Sequence, residues 1–273
     1  MNRKRTIFIS LVVALVAGVV AAPGIQLAGG ATERLVNGNF EGGFYATPVG
    51  FVGNHWKWFH NGGAIKYGFY DDNWPPIVYD GQHSQLIELN TFDYAGSDAD
   101  RYAGIYQTVA VVPGETYDLS LHGMLRALED DPDRSCCNYR VEVGLDYNGG
   151  QDWAAVTEWI ELPWNTVHPR LTPGSMESYA TSVKTTSNRL TVFVRVWKKW
   201  GTARRELDVN LDAISLKGAM PGDTDGGKAK TATTGDQVAT NGGVSVSFQA
   251  KMCLELAGSA MAAGSSPKRA GVP

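Results

Sequence analysis

The sequence predicts an all-β protein, a β-sandwich of jelly-roll type, on three observations. Between Glu33 and Gly218 apolar and polar residues alternate with period two in short runs, the pattern of half-buried strands. The runs are separated by Gly, Pro, Asn and Asp, and 32 Gly with 12 Pro in 273 residues favour turns over long helices. No stretch in this region carries a helical apolar repeat over several turns. Hydrophobic residues at 43% against 19% charged suffice for a core and exclude global disorder. Many short strands at regular spacing form one domain over 32–218.

The chain begins with an export signal over 1–31. Arg3, Lys4 and Arg5 precede an apolar run from Thr6 to Ala22, followed by small residues. That run is shorter than the roughly 20 residues of a free-standing membrane helix. Cleavage is expected after Ala31 rather than Ala22, because Pro23 would follow the latter; an uncleaved anchor is the alternative. Either route places the folded region outside the cytoplasm, secreted or at the cell surface. The net charge is −4, and loss of Arg3, Lys4 and Arg5 leaves −7, a poor partner for nucleic acid. No later segment is apolar enough to make a membrane a partner beyond this signal.

The strands follow in order. IYQTVAVV (Ile105–Val112) and TYDLSLHG (Thr116–Gly123) flank a Pro113-Gly114 turn, and Tyr117, Leu119 and Leu121 share one face. In YRVEVGLDY, Tyr139, Val141, Val143 and Leu145 alternate with Arg140, Glu142, Gly144 and Asp146. In RLTVFVRVW, Leu190, Val192, Val194 and Val196 oppose Thr191, Phe193, Arg195 and Trp197. Beyond Lys217 the composition turns to Gly, Thr, Asp, Lys and Ala, so 219–273 is expected to be a disordered tail.

Chemistry-bearing residues are sparse. The three cysteines exclude a full disulfide framework; Cys136 and Cys137 could pair with each other, or one of them with Cys253, and no zinc spacing occurs. His55, His60, His83, His122 and His168 never fall at ligand spacing. No GxSxG, P-loop, HExxH or GxGxxG is present. Glu158 and Glu161, three apart, would face opposite sides of a strand and make no acid–nucleophile pair. No catalytic residue is named and the chain reads as a non-enzyme. The run Glu129, Asp130, Asp131, Asp133 lacks the calcium-loop pattern and is expected to be solvated.

Four segments in order carry a resemblance: LVNGNFEGGF (Leu35–Phe44), YDGQHSQLI (Tyr79–Ile87), IYQTVAVVPGETYDLSL (Ile105–Leu121) and NLDAISLKG (Asn210–Gly218). Together they resemble a CenC-like carbohydrate-binding module, a galactose-binding-like jelly roll, over nearly the whole folded region. The departures are Ala213, where a second Asp is usual, and the central VGLDYNGGQDWAAVTEWIELPW, which resembles uncharacterised exported domains of filamentous bacteria. Period two puts Asp212, Ile214 and Leu216 on one face, which points Asp212 inward, and a buried carboxylate needs hydrogen bonds or a cation. The resemblance implies a structural calcium between Glu41 and Asp212; the alternative is that Glu41 bonds backbone amides and Asp212 a basic side chain.

It also implies a polysaccharide or glycan as partner. Sugar sites pair aromatic rings with hydrogen-bonding side chains, and the aromatic-rich Trp56–Tyr79 stretch offers both. Trp56, Trp58, Trp74 and Tyr79 are the candidate stacking rings, with Gln85 and Arg126 as hydroxyl contacts. Trp74, lifted off the sheet by Pro75-Pro76, is the tryptophan expected to be exposed. The rivals are a structural or adhesive surface domain that binds protein, and a glycoside hydrolase.

Overall fold

The computed structural model describes residues 31–93, 100–131, 134, 137–199 and 205–222. The export signal, Cys136, Cys253 and all of the tail past Gly222 lie outside the described residues. Among the described residues fourteen strands build two sheets: β1 (Thr32–Glu33), β2 (Phe44–Thr47), β3 (Gly50–Gly53), β4 (Lys57–His60), β5 (Lys66–Asp72), β6 (Ser84–Asn90), β7 (Arg101–Ala110), β8 (Thr116–Ala127), β9 (Tyr139–Asp146), β10 (Trp159–Glu161), β11 (Val167–Pro169), β12 (Glu177–Lys184), β13 (Arg189–Lys198) and β14 (Glu206–Gly218). The larger sheet runs β11-β8-β14-β6-β5-β3-β2, with β1 on β14 and β12 on β8; the smaller runs β10-β9-β13-β7-β4. From β6 to β9 and from β12 to β14, consecutive strands change sheet at every step, the crossover habit of a jelly roll.

Burial follows the alternation. Tyr117, Leu119 and Leu121 from β8, Val141 and Val143 from β9, and Leu190, Val192, Val194 and Val196 from β13 all meet between the sheets. On β13 the opposite face is covered too: Phe193 is fully buried and Trp197 nearly so. The segment between β9 and β10 folds back over the outer face of the smaller sheet, stacking Trp153 on Phe59 at 5.2 Å and setting Trp159 edge-on to Phe193 at 6.1 Å. Arg195 is held there between Tyr102 and Trp159, at 4.4 and 3.7 Å from the ring centres, and pairs with Glu142 at 2.7 Å. No helix among the described residues is long and apolar enough to cross a membrane.

The closing strand departs from strict alternation. In β14, Leu207, Val209 and Leu211 face the core, then Ile214 and Leu216 do so. A β-bulge between Asp212 and Ser215 makes the switch, with Ala213 at a left-handed φ of 47°. Asp212 therefore does not share a face with Ile214 and Leu216. It lies with Asp208 and Asn210 on the outer face, paired with His122 of β8, and is buried by a loop laid over it. The bulge receives the first segment of the chain: Gly38 accepts the Ile214 N–H at 2.9 Å, and a Cβ on Gly38 would stand 1.8 Å from the Ile214 carbonyl oxygen. Only glycine permits that approach.

Candidate functional site

The loop that buries Asp212 joins β5 to β6 and crosses the outer face of the larger sheet toward β8. Its short 3-10 turn, Pro75–Ile77, plugs Ile77 inward. Asp212 anchors it: one carboxylate oxygen accepts the Tyr79 and Asp80 N–H at 2.7 and 3.0 Å, the other its neighbour Ala213's N–H at 2.6 Å. Glu41 grips the far end, accepting from Gln82 and His83 N–H at 2.6 and 2.8 Å. Gly81 sits between them, φ 86°, where a Cβ would come within 2.4 Å of the Glu41 carboxyl carbon. Glu41 and Asp212 thus converge on one loop. Amide hydrogens serve as positive partners to both, and neither residue belongs to a cluster of three metal-ligating side chains among the described residues. Desolvation outweighs the amide bonds at Asp212 and pushes its pKa up to about 6.

Two of the expected rings reach solvent from this loop: Trp74 is 38% and Tyr79 56% exposed. Tyr79 lies flat on His122, ring centres 3.5 Å apart and planes 13° apart. His122 has a buried Nδ1 with no hydrogen-bond partner, and burial lowers its pKa. Beside the pair opens a cavity of about 430 Å³ lined by polar groups, among them Asn37, Asn39, Asp80, Ser120 and Ser215, with His122 in its wall. The bulge shapes its floor, since Ala213, Ile214 and Ser215 all line it. Another hollow of about 320 Å³, lined by Asn73, Pro75, Val78 and Gly81 to His83, borders the same loop.

The other candidates lie elsewhere. Trp56 is a core residue, 1% exposed, its Nε1 donating to the Asn37 carbonyl at 2.9 Å and its ring packed on Phe40, so it cannot stack on a ligand from the surface. Trp58 is half-buried against Phe69 and His60. Gln85 is fully buried because it shares the inward parity of Ile87 and Leu89 on β6; its amide accepts the Gly53 N–H and donates to the Phe51 and Tyr70 carbonyls. Arg126, 4% exposed, donates to Asn210 Oδ1 at 2.8 Å and to the Arg170 carbonyl at 3.1 Å, with the Trp74 ring 5.9 Å away. It is a structural link beneath the loop rather than an open contact. The acidic run also differs from expectation. Asp131 is buried, accepting from the Tyr139 hydroxyl at 2.6 Å and pairing with Arg205 at 3.1 Å, while Glu129 accepts the Leu171 N–H. Cys137 is disulfide-bonded.

A charged row across the larger sheet went unread in the sequence. Glu88 of β6, Asp208 of β14 and Arg126 of β8 stand side by side in register, with Glu206 one outward position along. Arg170 pairs with Glu206 and, at 3.0 Å, with Asp208. Burial raises Glu206 to about 7 and Asp208 to about 6, the neighbouring carboxylates adding to the effect and the arginines opposing it. The signal was ELDVNLD, in which every second residue is polar on a strand whose alternate positions are Leu, Val and Leu.

Neither a family model nor a curated protein sequence matches this chain. Similar architecture occurs among solved structures. The carbohydrate-binding module TmCBM61 in complex with beta-1,4-galactotriose aligns at 14% identity and TM-score 0.39, over 68% of this chain and 97% of that one. The arabinose-bound α-L-arabinofuranosidase MgGH51 aligns at 18% and 0.41, over 69% of this chain but 27% of the enzyme. The cleaved adhesin domain of Lys-gingipain from Porphyromonas gingivalis aligns at 13% and 0.41, over 62% of this chain and 94% of the domain. Likenesses this distant assign no ligand or activity to this chain.

Proposed function

We propose that this protein binds carbohydrate without catalysis, outside the cell, at the polar cavity beside Tyr79. The observation that carries the reading is the exposed Tyr79 ring stacked on His122, which itself lines a hollow with Asn37, Asn39, Asp80, Ser120 and Ser215. A ring face for the sugar's C–H surface and amide, carboxylate and hydroxyl partners for its hydroxyls are the two halves of a sugar site. Trp74, the other exposed ring of the loop, extends the surface toward β8. The hollow is lined largely by polar groups whose hydration a sugar must displace, so affinity should be modest.

At the junction of Glu41 and Asp212 we propose that backbone amides take the place of the calcium implied by the resemblance, and that the two carboxylates act as fasteners of the ligand loop. A glycan panel titrated against tryptophan and tyrosine fluorescence tests the reading. Binding to one glycan class, lost in Tyr79→Ala with the melting temperature kept, supports it. A folded protein that binds no glycan and self-associates with concentration would favour the structural or adhesive alternative, and glycan turnover would make it a hydrolase.

A further inference from the structure

The row of carboxylates on the larger sheet holds buried oxygens that no donor answers. Glu88, Glu206 and Asp208 each offer an oxygen within 4.8 Å of the others, on adjacent antiparallel strands that fix them side by side. A single cation bound at about 2.4 Å from each oxygen requires the oxygens to lie no more than about twice that distance apart. Glu88 is 7% and Asp208 1% exposed, yet Glu88 Oε1 and Asp208 Oδ1 have no hydrogen-bond partner. Buried carboxylate oxygens left without a donor are costly, and native structures rarely tolerate them without an ion or water.

The resident cations do not fill the gap: Lys66 acts on Glu206 only through space. The guanidinium of Arg126 is turned to Asn210 and stands 3.6 Å from Asp208 and 3.7 Å from Asp72, so it is shared between two carboxylates. Arg170 reaches Glu206 and Asp208 from the solvent side, its side chain 37% exposed. No ion pair reaches Glu88 among the described residues.

We propose that Glu88, Glu206 and Asp208 form a calcium site, with Arg170 as the displaceable cation that covers it. Hard carboxylate oxygens suit calcium, and solvent entering where Arg170 swings away completes its shell. The site is separate from the cavity beside Tyr79 and does not depend on glycan binding.

The test uses the full chain, stripped with chelator and titrated with CaCl₂ alone at neutral pH, read by calorimetry and by melting temperature. The proposal expects saturable binding and a higher melting temperature, both lost in Glu88→Gln and both kept in Glu41→Gln, whose site is the other junction. Arg170→Gln should tighten calcium binding about tenfold by removing a competing charge from the site. Should Glu88→Gln fail to fold, the Arg170→Gln titration decides alone: unchanged or weaker affinity overturns the site. Absence of any calcium response in the wild-type chain overturns it as well, as does a response that survives Glu88→Gln and disappears in Glu41→Gln.

Discussion

Tyr79 and Trp56 show how the same residue class divides between surface and core. Tyr79 is 56% exposed and bears on the fold only through its backbone N–H and its contact with His122. Tyr79→Ala should therefore change stability by no more than about 0.5 kcal/mol, the usual range for surface substitutions, while removing glycan binding. Trp56→Ala should do the reverse. It empties a core position packed on Phe40 and strands the Asn37 carbonyl, costing about 3–5 kcal/mol in chemical denaturation. Asp212→Ala would leave the Tyr79, Asp80 and Ala213 amides without their acceptor. A cost of about 1–3 kcal/mol is expected for a lost buried partner, together with faster amide exchange at Tyr79 and Asp80. The sequence showed that Trp74 and Tyr79 sit in a turn-rich stretch. The Pro75-Pro76 turn set Trp74 apart, but nothing in the pattern placed Trp56 inside, because its burial depends on Asn37 and Phe40 of the distant first segment.

At the scale of the element, β14 carries most of the site. Its outer row supplies Glu206, Asp208, Asn210 and Asp212, its bulge floors the cavity, and its inner row closes the core. Alternation made the strand itself legible. The one-residue bulge was not, since a strict period of two reads straight through Asp212 to Ile214 and puts the carboxylate on the wrong face. The burial of Asp212 was foreseen, but it comes from the crossing loop rather than from the core. The same element predicts a pH dependence. Glu206 and Asp208 hold their protons in the folded chain to about 7 and about 6, above their ordinary values of 4.5 and 3.8, with Glu88 and Asp72 facing them and Arg126, Arg170 and Lys66 opposing. A group whose pKa rises on folding stabilises most below its unfolded value and loses that contribution as pH rises through the folded one. Metal-free protein should accordingly lose melting temperature between about pH 4 and pH 7 through these two groups. Glu206→Gln should flatten the profile at its upper end.

Across the whole molecule, the all-β sandwich and its long core strands were readable from alternation, turn residues and composition, because two packed sheets impose both patterns on any sequence that fills them. The aromatic cover on the smaller sheet was not. Phe193 and Trp197 occupy the polar half of the RLTVFVRVW alternation: Phe193 is packed by Trp159 of the folded-back segment with Phe59 and Tyr106, and Trp197 lies under Arg140 and donates its Nε1–H to Asp100. Removing that cover should expose the sheet: Trp153→Ala is expected to increase binding of a hydrophobic dye and lower stability by about 1–3 kcal/mol, with glycan binding unaffected. The two faces thus differ: one is sealed by aromatics, and the other is crossed by a pinned loop beside which the proposed ligand site lies. The most direct measurement is a broad glycan screen of the wild-type protein beside Tyr79→Ala, both shown folded by circular dichroism. Selective binding to one glycan class, abolished in the variant, is the predicted result; equal binding by both proteins, or none by the wild type, would contradict the assignment of the Tyr79 cavity as the carbohydrate site.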